Sequence, residues 1–144
     1  MERSIKFRGK YAKSHEWIYG HYYNNCDIGV NQDIIINHNE DTGIGREHLI
    51  SQQYLGEFTG LSDKNGKEIY EGDIVKCGYG TGEVIYNAGC FMVCWLDDVE
   101  AYMEFLFSRK GMYRRKDDEE FEVIGNIHDN PEIIKSLKGE EEKI

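Results

Sequence analysis

The sequence predicts a mainly β fold with a small α contribution, and three observations predict it. Isoleucine supplies 16 residues against six leucines, beside ten tyrosines and six phenylalanines. β-Branched and aromatic side chains suit a pleated, half-buried surface better than a helix bundle. Sixteen glycines and one proline suit many tight turns. Short apolar runs recur along the second half of the chain, separated by turn residues, as in a small barrel or sandwich.

Taken in order, residues 5–8 (IKFR) and 17–23 (WIYGHYY) read as strands around a turn at 9–15. Residues 33–37 (DIIIN) read as a third strand, and the Asn- and Gly-rich stretches 24–31 and 41–45 as loops. Residues 46–54 (REHLISQQY) carry Leu49, Ile50 and Gln53 at helical spacing and stop before Gly56, which predicts one short helical turn near 46–54. Residues 60–76 (GLSDKNGKEIYEGDIVK) hold two turns. In the first, Asp63 bonds its own backbone and Asn65-Gly66 accepts positive φ; Glu71-Gly72-Asp73 is the second. Strands follow at 74–77, 82–86, 91–96, 102–107 and 121–127. In the third of these Phe91, Val93 and Trp95 share one face and Cys90, Met92 and Cys94 the other, which predicts a central strand buried on both sides. Asn130-Pro131-Glu132 reads as a helix start, with Ile133, Ile134 and Leu137 on one apolar face. The chain thus divides into a β-rich region at 1–60, a barrel or sandwich region at 61–130 and a short helix with its tail at 131–144, expected to pack as one compact unit.

A formal charge of −10 disfavours nucleic acid as a general partner, because that affinity is mostly phosphate neutralisation. The one basic cluster is Arg109, Lys110, Tyr113, Arg114, Arg115 and Lys116. Basic residues interleaved with an aromatic suit single strands, but Asp117–Glu120 follow at once and cancel most of the field. No apolar run is long enough to cross a bilayer, and the N-terminal residues have no apolar core of a signal peptide. The expectation is a cytoplasmic protein in which Cys26, Cys77, Cys90 and Cys94 stay as thiols.

Motifs for catalysis and for metals fail one by one. Asp63-x-Asn65 begins like a calcium loop, but Gly66 stands fourth instead of sixth and Ile74 stands twelfth in place of glutamate. His38-Asn39-Glu40 lacks the Pro-Cys-x-x-Cys half of a zinc deaminase. His15-Glu16-Trp17 has no histidine at metalloprotease spacing. Cys90-x-x-x-Cys94 with two of Cys77, His38 and His48 offers four zinc ligands, but only one close pair, on an apolar strand. Residues 78–82 (GYGTG) precede a strand, so no helix N-terminus is there to hold a phosphate. No local signature pairs Cys26 or Cys94 with a histidine. The expectation is no catalytic residues, no metal site and no cofactor.

The chain resembles the YopX protein family of phages and prophages. The resemblance rests on IKFRGK at 5–10, EWIYG at 16–20, GEFTGLSDKNGKEIYEGDIV at 56–75, Gly82-Glu83-Val84, and EVIGNIHDNPEI at 122–133. The cysteine-rich strand at 90–94 departs from the usual pattern, as does the lack of Pro-Glu-Thr before Gly56. The resemblance implies a phage-derived cytoplasmic protein, rich in β, with an SH3-like barrel in its second half. It carries no assigned catalytic residues. The expected function is a non-catalytic binding or assembly module that acts on a protein partner or on itself. A nucleic-acid accessory protein using residues 109–116 is the alternative, and a small hydrolase the weaker one.

Overall fold

The structure, a computed structural model, describes residues 4–27, 29–78, 80–96, 103–105 and 121–139, with only the backbone of 103–105. The chain forms two units that meet in sequence between Gly60 and Leu61. Both are built on antiparallel strands, and the mainly β expectation holds.

The first unit contains β1 (Phe7–Lys10), β2 (Trp17–Asn25), β3 (Gln32–His38), β4 (Gly45–Leu49), a 3₁₀ turn at Gln52–Tyr54 and most of β5 (Gly56–Ser62). The strand order is β4-β3-β2-β1-β5. Register is set by the apolar pattern of β3: Ile35 is wholly buried and lies opposite Tyr22 and His48. Gly9 lets the sheet close over this core, since a Cβ there would stand 2.7 Å from Ile50 Cδ1 and 3.2 Å from Ile35 Cδ1. Phe7 and Tyr22 pack with ring centroids 5.4 Å apart.

Two expectations for this unit change. The helical turn near 46–54 shrinks to Gln52–Tyr54, and Gly45–Leu49 pairs with β3 instead. Arg46, Glu47 and Leu49 favour helix by propensity, but five ladder partners on an isoleucine-rich strand outweigh a preference of tenths of a kcal/mol. Gly9 and Lys10 belong to β1, so the first turn starts only at Tyr11.

The second unit begins with the end of β5. β6 (Glu68–Tyr70) hydrogen-bonds back to it beyond the Asp63 turn. There follow β7 (Asp73–Cys77), β8 (Gly80–Asn87), β9 (Cys90–Trp95), β10 (Met103–Phe105), β11 (Glu122–Asn126) and α1 (Pro131–Leu137). The order β10-β9-β8-β7-β11 makes a five-stranded sheet. Its core cluster is Ile69, Val75, Cys77, Val84, Phe91, Val93 and Trp95, with Leu61, Phe121 and Val123 packed against it. Gly82 lies between Val75 and Trp95 in the ladder, and a Cβ there would collide with Val93 Cγ1. β9 alternates as expected, but only its Phe91–Val93–Trp95 face is buried; Cys90, Met92 and Cys94 are half-buried. The helix starts at Pro131 behind Asn130. Asn130 does not cap it: its Oδ1 accepts from Asn126 N at 3.2 Å instead. That carbonyl stands where a side chain on Gly125 would go.

Candidate functional surface

Three turns within the segments that carry the family resemblance are held by polar side chains. Asp63 is buried, and its Oδ1 accepts from Asn65 N and Lys67 N, both at 2.8 Å. Its Oδ2 accepts from Val123 N at 2.9 Å. Lys64 N donates to Phe121 O at 3.0 Å, and Lys64 Nζ stands 3.5 Å from Glu122. Burial alone pushes the Asp63 carboxyl up, but the three backbone donors and Lys67 outweigh it and hold the carboxyl below its ordinary value. Gly66 completes the turn at φ 83°. Asp73 is likewise buried and accepts from Tyr70 N at 2.8 Å across the second turn, where Gly72 adopts φ 92°. At the far end, Asn126 Oδ1 accepts from His128 N and Asp129 N. Asp63, Asp73 and Asn126 therefore each hold a turn of the backbone in place.

The cysteines do not converge. Four residues along a strand span about 13 Å, whereas two thiolates on one zinc ion lie within about 4 Å. Cys90 and Cys94 therefore cannot share an ion from β9. Cys77 is in the buried core with Trp95, while Cys94, the neighbour of Trp95 along the strand, faces the other way. His38 and His48 belong to the first unit. Among the described residues no group of three or more His, Cys, Asp or Glu side chains is placed to hold a metal. Cys26, which the sequence offers as a nucleophile, is exposed at the end of β2. The basic cluster Arg109, Lys110, Tyr113, Arg114, Arg115 and Lys116 lies outside the described residues.

A second perturbed acid stands beside the core of the second unit. Glu83 on β8 lies opposite Ile74 and Cys94. Burial raises its pKa, the Lys138 charge lowers it and the Glu71 charge raises it, with a net rise.

Among the described residues, one face of the first unit exposes aromatic side chains on a regular sheet. Trp17, Tyr19, His21 and Tyr23 alternate along β2 and share that face. Register adds Ile34, Ile36 and His38 from β3, and Glu47 and Leu49 from β4. Tyr19 is 46% exposed, Tyr23 36% and Leu49 43%; His21, His38 and Glu47 are also exposed. Ile34, between its register partners Tyr23 and Leu49, is buried. Tyr23 donates to Glu47 Oε1 at 2.7 Å, and that carboxylate raises the tyrosine pKa. On β1, Arg8 lies over the Trp17 ring at 4.7 Å and Lys10 at 5.1 Å. The alternation of WIYGHYY is visible in sequence. The exposure of its odd-numbered side is not, because that side is as aromatic as a core face.

Comparison with known proteins agrees with this architecture. The chain is similar to protein EF1440 from Enterococcus faecalis, known from a crystal structure, with 26% identity and a TM-score of 0.52 over 92% of this chain and 99% of that one. No curated protein matches it. The family model described as YopX protein matches residues 6–135. With nearly the whole length matched, the chain belongs to the YopX protein family.

Proposed function

We propose that this is a phage- or prophage-encoded, non-catalytic binding module that docks a protein partner on the Tyr19–Tyr23–Leu49 face of the first unit. One observation carries the reading: two tyrosines and a leucine stand exposed on one regular sheet face, with His21 between the tyrosines and Glu47 next to Leu49 on the same side of β4. Tyrosine is enriched at interface centres, where an apolar ring is buried and its hydroxyl still finds a partner. A rigid strand presents such anchors at low entropic cost. The charge of −10 supports a protein ligand over a nucleic acid. Action in the host cytoplasm fits the reading, and among the described residues no helix is long and apolar enough to cross a membrane. We further read the second unit as an SH3-like barrel, supported by the β10-β9-β8-β7-β11 order and one short terminal helix.

A photo-crosslinking residue at position 23, with a control at exposed Lys76, tests the docking face in the phage-bearing host. A discrete adduct from position 23, absent at 76 and lost on adding Tyr19→Ser and Leu49→Ser, is the expected result. An adduct with the mass of two chains would identify the partner as a second copy. No adduct, or the same adduct from both positions, would overturn the proposal.

A further inference from the structure

Two of the five histidines meet on the same face. His21 pairs in register with Ile36, so His38, two residues along β3, is its diagonal neighbour on the same side of the sheet. The imidazole centroids are 6.0 Å apart with the rings inclined at 71°. His38 lies opposite Gly45, and a Cβ at Gly45 would touch His38 Nε2 at 3.2 Å, so the missing side chain leaves room for the ring over β4. Both histidines are exposed, and among the described residues neither ring takes part in a hydrogen bond.

We propose that His21 and His38 form a two-imidazole site for a borderline divalent transition-metal ion such as Zn²⁺, Ni²⁺ or Cu²⁺. Two imidazoles bound at about 2.1 Å to one ion place their centroids roughly 4.5–6 Å apart. The observed separation is at the open end of that range, and small side-chain rotations close it. Neutral imidazole suits borderline ions and not Mg²⁺ or Ca²⁺. Two neighbouring strands of a hydrogen-bonded ladder hold the pair, so little backbone freedom is lost on binding. Glu47 stands on the same face but its carboxylate is held by Tyr23, and among the described residues no third His, Cys, Asp or Glu joins the pair. With only two protein ligands the ion keeps water in its remaining positions and exchanges readily. The sequence hides the site because the histidines are 17 positions apart and belong to no metal motif; only the β2–β3 register joins them. The site stands whether or not a partner docks on the face.

The test is titration of tag-free protein with NiCl₂ or ZnCl₂, followed by calorimetry and thermal unfolding, with MgCl₂ as control. One ion per chain is expected, with a midpoint of unfolding that rises with metal concentration, as any ligand selective for the folded state produces. His21→Ala and His38→Ala should each weaken binding at least about tenfold, while His15→Ala should not. Far-ultraviolet circular dichroism establishes that the variants fold. Unchanged affinity in either variant, or an equal response to Mg²⁺, would overturn the proposal.

Discussion

Asp63 and Val123 are joined by a 2.9 Å hydrogen bond across 60 positions of sequence. The same carboxylate holds its own turn through Asn65 N and Lys67 N. One side chain thus fixes the β5–β6 turn and docks β11 beside it. A buried charged acceptor with three backbone donors is replaceable by neither an apolar nor an amide group without loss.

Asp63→Ala should therefore cost roughly 2–4 kcal/mol, the loss of charge-assisted bonds plus buried donors left unpaired. Asp63→Asn should cost less, since the amide oxygen keeps one side of the arrangement. Chemical denaturation at pH 7 measures both. A cost below experimental error for Asp63→Ala would contradict the anchoring role.

The same carboxylate carries a pH signature. Its folded-state pKa lies below the unfolded value, so its stabilising contribution is complete above about pH 4 and is lost as pH falls through the folded value. Unfolding curves between pH 6 and pH 2 should show Asp63→Asn losing less stability than the wild type over that window.

Glu83 has the opposite sign. Its folded-state pKa is raised, chiefly by burial, so stability is greatest below the unfolded value and declines as pH rises through the folded value. Glu83→Gln should stabilise the protein at pH 7, by less than about 1 kcal/mol because solvent still reaches and screens the carboxyl. The gain should vanish near pH 4. Destabilisation at pH 7 would mean that the Lys138 charge outweighs the cost of burial.

Two glycines test the backbone. Gly66 adopts φ 83° with open space around it, so Gly66→Val should cost about 1–3 kcal/mol through conformational strain alone. Gly20 is the reverse case: its conformation is ordinary, but a Cβ would press into the Ile36 carbonyl. Gly20→Ala should cost about 1–3 kcal/mol by forcing β2 and β3 apart. Hydrogen exchange should place that damage in the β2–β3 ladder.

The basic cluster is tested by reversing Arg114 and Arg115 to Glu. The expected result is a folded protein with stability changed by less than about 1 kcal/mol, as for exposed ion pairs. Wild-type protein should show no salt-sensitive affinity for single-stranded DNA. Micromolar binding at physiological ionic strength, abolished by the reversal, would transfer the functional reading to a nucleic-acid partner.

Much of the fold is legible in sequence because β-branched runs and turn residues carry local information. Ile34–Ile36, Ile74–Val75, Asn65-Gly66 and Pro131 each announce their own conformation. What escapes is decided by partners. GEFTGLS has two glycines and few apolar residues, yet it forms β5 because Glu57 and Gly56 find Phe7 and Arg8 opposite them. GREHL becomes β4 for the same reason. The candidate surface was half legible: the alternation of β2 is in the chain, but which side faces solvent, and that His38 joins it, depends on register. Asp63 reads locally as a turn former, and nothing near it in sequence points to Val123.

The bond from Asp63 to Val123 also sets a schedule for the newly made chain. A ribosome adding about 5–20 residues per second needs roughly 3–12 s to deliver residue 123 after residue 63. During that interval the turn has its own two donors but lacks the third, and β7 has no β11 beside it. Strands β1–β4, by contrast, have every one of their strand partners once β5 is made. Synthesis thus completes their pairing while β7 still waits for its last neighbour, and a pause or early stop in translation before residue 121 leaves the edge of β7 uncovered and open to aggregation.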